Sequence, residues 1–474
     1  MQNLKDHQRP LWRITAGERR FILIIGDLLM TLVALIIALV LWAQKDFLLQ
    51  FSLQFLKERP PFWFYLLPVV WIILMIELYD VRRAGRVPDT VIGVLMAVLL
   101  AAFFYFTVFF IAEPNTLPRR GVAGFIAASA VFTLLWRLLY IKVFTAPAFL
   151  RRVLIIGAGR AGTTLAGMIQ GVWPPPFYLV GYVDDDKDKV GKEVEKLPVL
   201  CSAGQLLKTI KENQITDLVF SITGEMHPEM FKAILAAEEM GVEVTTMPKI
   251  YEELFGRVPI FLLQDDWILR SFVDKAHSSS TYEGVKRLID LLSALIGCAA
   301  LILLSPLICV GILVDDGLPL LFHQVRLGKS GKRFELLKFR TMRRDAEADG
   351  VARLATVHDE RTTRFGRFLR ASHLDELPQF VNVLRGDISM VGPRAERPEL
   401  IDQLQKQIPF YRARLFIKPG VTGWAQINQR YASNVEETAI KLEHDLYYIM
   451  HRNIILDLSI ILRTLWMVIR FKGV

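Results

Sequence analysis

Asp375 and Glu376 stand side by side in RASHLDELPQF, residues 370 to 380. Adjacent acids of this kind can cap a helix or sit in a solvated turn. Pro378 suits the first turn of a helix that carries Phe380, Val381 and Leu384. Such a helix would hold both acids near its N-terminus, where the dipole favours ionised carboxylates and phosphate oxygens alike. Sequence neighbours point in different directions, so one carboxylate can attack phosphorus while the other holds a metal ion. Spacing alone leaves the simple cap open.

Behind the pair lies a basic run. Residues 326 to 370 hold thirteen Lys or Arg against six Asp or Glu, most of the chain's net +9. Within it, RLGKSGKRFELLKFRTM places a turn at Gly328 and Gly331 before Lys338 and Arg340. Glycines interleaved with cations fit a phosphate-rich ligand. Adhesion to anionic lipid explains the charge but not the glycines. Nucleic acid is disfavoured, because neither a helix-turn-helix nor an RNP-like pattern is present.

These residues must be positioned by a membrane protein. Hydrophobic residues make up 53% of 474, with a mean hydropathy of +0.34, too apolar for an ordinary soluble enzyme. Three cysteines, none in a metal-ligand spacing, exclude a disulfide framework and a zinc site. Four apolar segments near 21–42, 62–79, 91–112 and 122–143 each approach the ~20 residues of a span. They occupy a 21–145 bundle behind a 1–20 tail. Lys and Arg in the leading segment, in the second loop and after the fourth span place both ends of the bundle in the cytoplasm. Asp27 and Glu77 are the acids inside the spans, as interfacial or paired groups, and no row of ionisable residues marks a transport path. The spans could tether the enzyme or offer a homodimer interface.

Next comes RRVLIIGAGRAGTTLAGMI, an apolar strand running into Gly157, Gly159 and Gly162 and then a helical pattern. Asp184 follows 22 residues after the last glycine. A Rossmann-like domain over 150–255 is expected, with these four residues as a nucleotide or dinucleotide site; the same glycines also serve tight packing in ligand-free domains. Tyr282 and Lys286 have the spacing of a dehydrogenase pair but lie outside that domain, beyond a 256–280 linker.

The segment 285–314 is apolar and longer than one crossing needs, and Ser305-Pro306 interrupts it. A re-entrant helix, entering and leaving on one face with the serine hydroxyl serving a freed carbonyl, keeps the following domain with the Rossmann-like unit. The tail 453–474 reads as interfacial helices, with packing against the domain as the competing view.

Arg394 in GDISMVGPRAERP, Thr422 and Gln426 in KPGVTGWAQIN, and Asp445 in KLEHDLYYI complete the pattern. With LLKFRTM and LDELPQ, in this order after a Ser-Pro-broken apolar segment, they resemble the bacterial sugar transferase family over residues 281 to 474. The spans and Rossmann-like unit resemble its long form. That resemblance implies an α-rich catalytic domain at the bacterial inner membrane that moves a sugar-1-phosphate from a UDP-sugar to undecaprenyl phosphate. This is the first membrane step of exopolysaccharide synthesis. It implies Asp375 as nucleophile, Glu376 and Asp445 on Mg²⁺, and Lys338, Arg340, Arg370 and Arg394 on phosphates. Ala395 stands where the family often has a second proline, which puts the rigidity of that turn in question. The alternatives are an NAD-dependent nucleotide-sugar dehydratase, which would need Tyr-x-x-x-Lys inside the Rossmann-like domain, and a non-enzymatic nucleotide-sensing membrane protein.

Overall fold

The computed structural model describes residues 16–44, 50–79, 81–111, 118–144, 150–173, 175–222, 224, 226–262, 280–343, 361–429 and 434–469. The chain divides into two compact units, Met1–Leu254 and Phe255–Val474.

In the first unit, α1 (Ala16–Ala43), α2 (Val87–Ile111) and α3 (Arg119–Phe144) contain stretches long and apolar enough to cross a membrane. The second expected segment is helical in short pieces: a 3₁₀ turn Phe62–Leu66, a helix Leu67–Leu74 and a 3₁₀ turn Ile76–Tyr79. Pro68 in the first turn of the middle piece starts a new helix there. Where the regular ladder ends, Arg137 Nη1 donates to the carbonyl of Leu78 at 3.0 Å. The same guanidinium binds Asp27, with Nη2–Oδ2 at 2.7 Å and both side chains fully buried. Asp27 is therefore a paired acid joining α1 to α3. The side chain of Glu77 lies outside the described part of the structure.

The sheet of this unit has six strands: β1 (Arg152–Ile156), β2 (Tyr178–Val183), β3 (Glu193–Val194), β4 (Leu197–Cys201), β5 (Asp217–Phe220) and β6 (Glu243–Thr246). Their order is β3-β4-β2-β1-β5-β6, with every pairing parallel except β3 with β4. The β1 strand is apolar and buried, as a central parallel strand with both faces covered must be. It runs directly into α4 (Arg160–Gln170) through the glycine turn.

The second unit is built on α5 (Ser280–Asp316), a helix that continues through Pro306 without a gap. Proline cannot donate to the carbonyl four residues earlier. Ser305 Oγ donates to that carbonyl, Ile302 O, at 3.4 Å. One face of α5 is buried, including Lys286, Asp290, Ala294, Gly297, Ile308 and Ile312. Leu292, Ile296, Leu303, Leu307 and Val314 on other faces are 54–84% exposed. Two glycines let the domain close onto the helix. A Cβ at Gly297 would lie 2.2 Å from the ring of Phe380, and one at Gly311 would lie 2.4 Å from Phe365.

A hairpin of β7 (Leu321–Leu327) and β8 (Arg333–Phe339) follows, with Gly331 at φ +77° in its turn. Then come α6 (Arg364–Ala371), α7 (Gln379–Arg385), β9 (Ser389–Val391), β10 (Gly420–Thr422), α8 (Val435–His451) and α9 (Ile454–Ile469). Asp457 of α9 is buried, where it accepts from Tyr282 (2.8 Å), Lys286 (3.0 Å) and Tyr448 (2.5 Å). So α9 packs its polar residue on the domain and leaves Ile455 and Leu465 exposed. The expected linker is not one at its start. Val258 and Ile260 belong to the second unit's apolar core, and Trp424 Nε1 donates to Gly256 O at 2.8 Å. Residues 263–279 lie outside the described part.

Candidate active site

Asp375 and Glu376 sit in a 3₁₀ turn, Leu374–Glu376, that leads through Pro378 into α7. His373 opens the turn at φ +57°, in the left-handed region that is costly for most side chains. The helix behind the turn is locked to β8 by Asn382, which is fully buried. Its Oδ1 accepts from Leu337 N at 3.1 Å and its Nδ2 donates to Glu335 O at 2.8 Å, so the side chain pairs with the strand as another strand would. This fixes Lys338, the next residue of β8, against the acids. Asn382 was not among the sequence-derived candidates. Its signal was a lone amide inside the apolar run FVNVL.

The two acids have different surroundings. Lys338 Nζ donates to Glu376 Oε1 at 2.5 Å, and Arg394 Nη2 approaches the same oxygen at 3.5 Å. Burial pushes Glu376 up, but Lys338 and Arg394 outweigh it and hold the group down at about 2. Asp375 is 7% exposed, and its carboxylate has no hydrogen bond among the described residues. Burial raises its pKa above the ordinary aspartate value, the charge of Lys338 opposes this, and the charge of Glu376 adds to it. The result is one fixed anion beside one buried carboxylate that is free to form a bond.

The remaining cations divide. Arg370 on α6 donates from Nε to Thr341 Oγ1 (2.9 Å) and from Nη1 to Thr362 Oγ1 (3.2 Å), and its charge acts on Asp375. Arg340 points elsewhere: it is 7% exposed and binds Asp316 O at 3.0 Å and the Asp316 carboxylate at 2.9 Å, closing the end of α5. Asp445 is 1% exposed and held by Arg414 Nη2 at 2.6 Å. Arg414 also reaches Glu396 at 3.4 Å, which Lys441 approaches at 3.3 Å. Among the described residues no three His, Cys, Asp or Glu side chains gather into a metal site. The Pro393–Glu396 turn that presents Arg394 is held without a second proline. Arg326 Nη1 donates to Ala395 O (3.0 Å), Leu327 N to Glu396 O (3.1 Å) and Gly420 N to Pro393 O (2.9 Å). Thr422 meets Thr464 at 2.6 Å and Gln426 donates to Val421 O at 3.0 Å, so both serve local packing.

In the first unit the glycine turn is filled from within. Gly157 has φ +100°, and a Cβ at Gly162 would lie 2.0 Å from Gly157 O. A Cβ at Gly159 meets nothing within 4 Å. Asp184 does not stand open for a ribose: its Oδ2 accepts from Ala158 N at 2.8 Å, and Lys189 lies 3.4 Å from it. The Ala158 N–H is thus already taken by a carboxylate, while Gly159 at the start of α4 stays open. Tyr282 and Lys286 belong to the second unit, with their polar atoms engaged by Asp457 and Tyr448.

Comparison with known proteins bears on the second unit first. Residues 281–471 match the family model described as bacterial sugar transferase. A Bacillus subtilis (strain 168) protein named uncharacterized sugar transferase EpsL is 41% identical over 193 residues, which are 40% of this chain and 90% of that protein. The chain belongs to the bacterial sugar transferase family. Residues 75–248 match a second model, described as a CoA-binding domain. Among longer family members, an Aeromonas hydrophila protein is 39% identical over 227 residues, covering 47% of this chain and 52% of its own length. It is named UDP-N-acetylgalactosamine-undecaprenyl-phosphate N-acetylgalactosaminephosphotransferase. A Xanthomonas campestris pv. campestris protein, named UDP-glucose:undecaprenyl-phosphate glucose-1-phosphate transferase, is 32% identical and covers 60% of each chain. The matched stretch thus spans between about half and three fifths of these two relatives.

Proposed function

We propose that this chain is a membrane phosphoglycosyl transferase that moves a sugar-1-phosphate from a UDP-sugar to a polyprenyl phosphate such as undecaprenyl phosphate. The observation that carries the reading is the contrast between the acids: Glu376 neutralised by Lys338 and Arg394, Asp375 buried with no hydrogen bond to its carboxylate among the described residues. A carboxylate oxygen of Asp375 attacks the β-phosphorus, the bond to the bridging oxygen breaks, and UMP leaves with that electron pair. An oxygen of the lipid phosphate then attacks the same phosphorus, breaks the bond to Asp375, and regenerates the carboxylate. Lys338, Arg394 and Arg370 neutralise charge on the departing and incoming phosphates. Arg340 has no part in this, because it is committed to the end of α5.

Mg²⁺ commonly takes one or two protein carboxylates and fills its shell from phosphates and water. Glu376, kept ionised beside the nucleophile, would be such a single ligand once Lys338 turns to the phosphates, whereas Asp445 is buried on Arg414 away from the acid pair's cations. When bound, the ion would supply positive charge to the diphosphate.

We read α5, unbroken through Pro306, as not crossing the bilayer and as turning its exposed apolar side toward the lipid. Its buried side is covered by the same domain from Lys286 to Ile312, roughly 39 Å of helix, which exceeds a ~30 Å hydrocarbon core. A crossing would drag that domain into the membrane. The catalytic unit then lies on the cytoplasmic face of a bacterial inner membrane, where UDP-sugars and the lipid phosphate meet. The test is UMP release from a panel of UDP-sugars with Mg²⁺ and undecaprenyl phosphate, wild type against Asp375→Asn. Release from one sugar that the variant loses supports the reading. Equal release by both proteins, or none from any sugar, overturns it.

A further inference from the structure

Arg287 and Lys418 converge on the backbone of Gly386, just past the C-terminus of α7. A Cβ there would lie 3.4 Å from Lys418 Nζ and 3.6 Å from Arg287 Nη2. Arg287 is anchored, donating to Val383 O and Leu384 O at 2.8 Å each, so it stabilises the negative end of α7. Lys418 has no ion pair or hydrogen bond among the described residues, and Lys329 adds a third positive charge to its surroundings. Burial lowers the pKa of Lys418, and repulsion from Arg287 and Lys329 lowers it further.

Asp290 and Glu283 oppose this shift by their charge but bond to other groups. Glu283 is paired with Arg452 at 3.0 Å. Asp290 accepts from Ser389 Oγ at 2.9 Å and from Met390 N at 2.8 Å. The surroundings are those of a membrane surface. Leu288, next to Arg287, is 56% exposed and begins the outward apolar side of α5; Phe416, two residues before Lys418, is 49% exposed. Burial alternates from Phe416 to Pro419, which turns Phe416 and Lys418 to the same side. An aromatic ring beside cations at the edge of an apolar face is how proteins meet headgroups.

The cluster lies too far from the acid pair to touch the reacting phosphorus. The seven-residue α7 separates Gly386 from the acid pair by about 10 Å, whereas reacting atoms must come within ~3.5 Å. We propose that Lys418 and Arg287 form a second phosphate-binding site at the membrane surface, taking a phosphoryl anion of the kind an anionic phospholipid headgroup presents.

The test follows the thermal unfolding midpoint of the detergent-solubilised full chain. Dihexanoyl phosphatidylglycerol, dihexanoyl phosphatidylcholine and inorganic phosphate are titrated separately. A saturable rise with the glycerol lipid and none with the choline lipid is expected. Lys418→Gln should weaken that response about fivefold, Lys418→Arg should retain it, and Lys406→Gln, an exposed lysine elsewhere, should leave it unchanged. An equal, Lys418-dependent rise with inorganic phosphate would keep the site but make free phosphate its source. If Lys418→Gln responds like wild type to all three, or Lys406→Gln weakens the response as much, the site does not exist.

Discussion

Lys338 donates its 2.5 Å hydrogen bond to Glu376 and not to the adjacent Asp375, although its charge acts on both. A lysine shared equally would have quieted the nucleophile. Bound to one acid, it leaves the other reactive. Asp375→Asn should therefore cut UMP release by about a thousandfold or more while the unfolding midpoint stays within a few degrees of wild type. A variant that keeps most of its activity would remove Asp375 from the reaction.

The same relationship sets a pH dependence. Asp375 must be ionised to attack, and burial places its pKa above the ordinary value of 3.8. Activity should fall on the acid side with an apparent pKa above that value. Lys338→Gln removes the charge that opposes the rise, so the limb should move to higher pH. The profile of kcat/KM for the two proteins checks the direction.

Arg414 joins two buried carboxylates, Glu396 and Asp445, to one guanidinium. Burial would lower its pKa, but Tyr411, Asp445 and Glu396 hold it well above its usual range. Arg414→Leu leaves both acids without this partner and should cost about 3–5 kcal/mol of stability, read by denaturant unfolding in detergent. Burial pushes Glu396 up, but Lys441, Arg414 and Arg326 hold it at about 2, below its ordinary 4.5. Its contribution is thus full above 4.5 and lost as pH falls toward 2. Wild type should lose stability across that window more steeply than Glu396→Gln.

Gly297 admits Phe380 against α5, so Gly297→Val must move the ring or the helix. A loss of about 1–3 kcal/mol and of most activity is expected, since Phe380 lies in the helix that follows the acid pair. Gly284→Val, at a position with nothing within 4 Å, is the control for substituting a glycine in the same helix. Equal effects in both would discard the packing argument.

In the glycine turn of the first unit, Gly162→Ala should destabilise the sheet domain because its Cβ would meet Gly157 O at 2.0 Å. Gly159→Ala should be nearly neutral. Limited proteolysis of the two variants reports the difference; equal resistance would restore a ligand-binding purpose for these glycines.

Much of this was legible locally. The strand–turn–helix at Gly157, the hairpin turn at Gly328 and Gly331, and the acid pair ahead of a helix are all encoded within a few residues. What the chain hides is which charges meet. Lys338 and Arg340 are two apart in sequence, yet only Lys338 reaches the acids, because strand residues two apart share a face but β8 ends between them. Asp445 read as a metal ligand, and nothing nearby in sequence betrays Arg414, 31 residues earlier. The Asp27–Arg137 pair is separated by 110 residues and was visible from one side alone.

Val258 and Ile260 lie in the core of the second unit, ahead of the stretch matched by the sugar transferase model. That decides where the protein can be cut. A fragment beginning at residue 281 would lack Val258 and Ile260 and leave the indole of Trp424 without its acceptor at Gly256. A fragment beginning at Phe255 keeps both. The boundary of the folding piece and the boundary of the family resemblance are about 25 residues apart, and a minimal enzyme should be designed on the former.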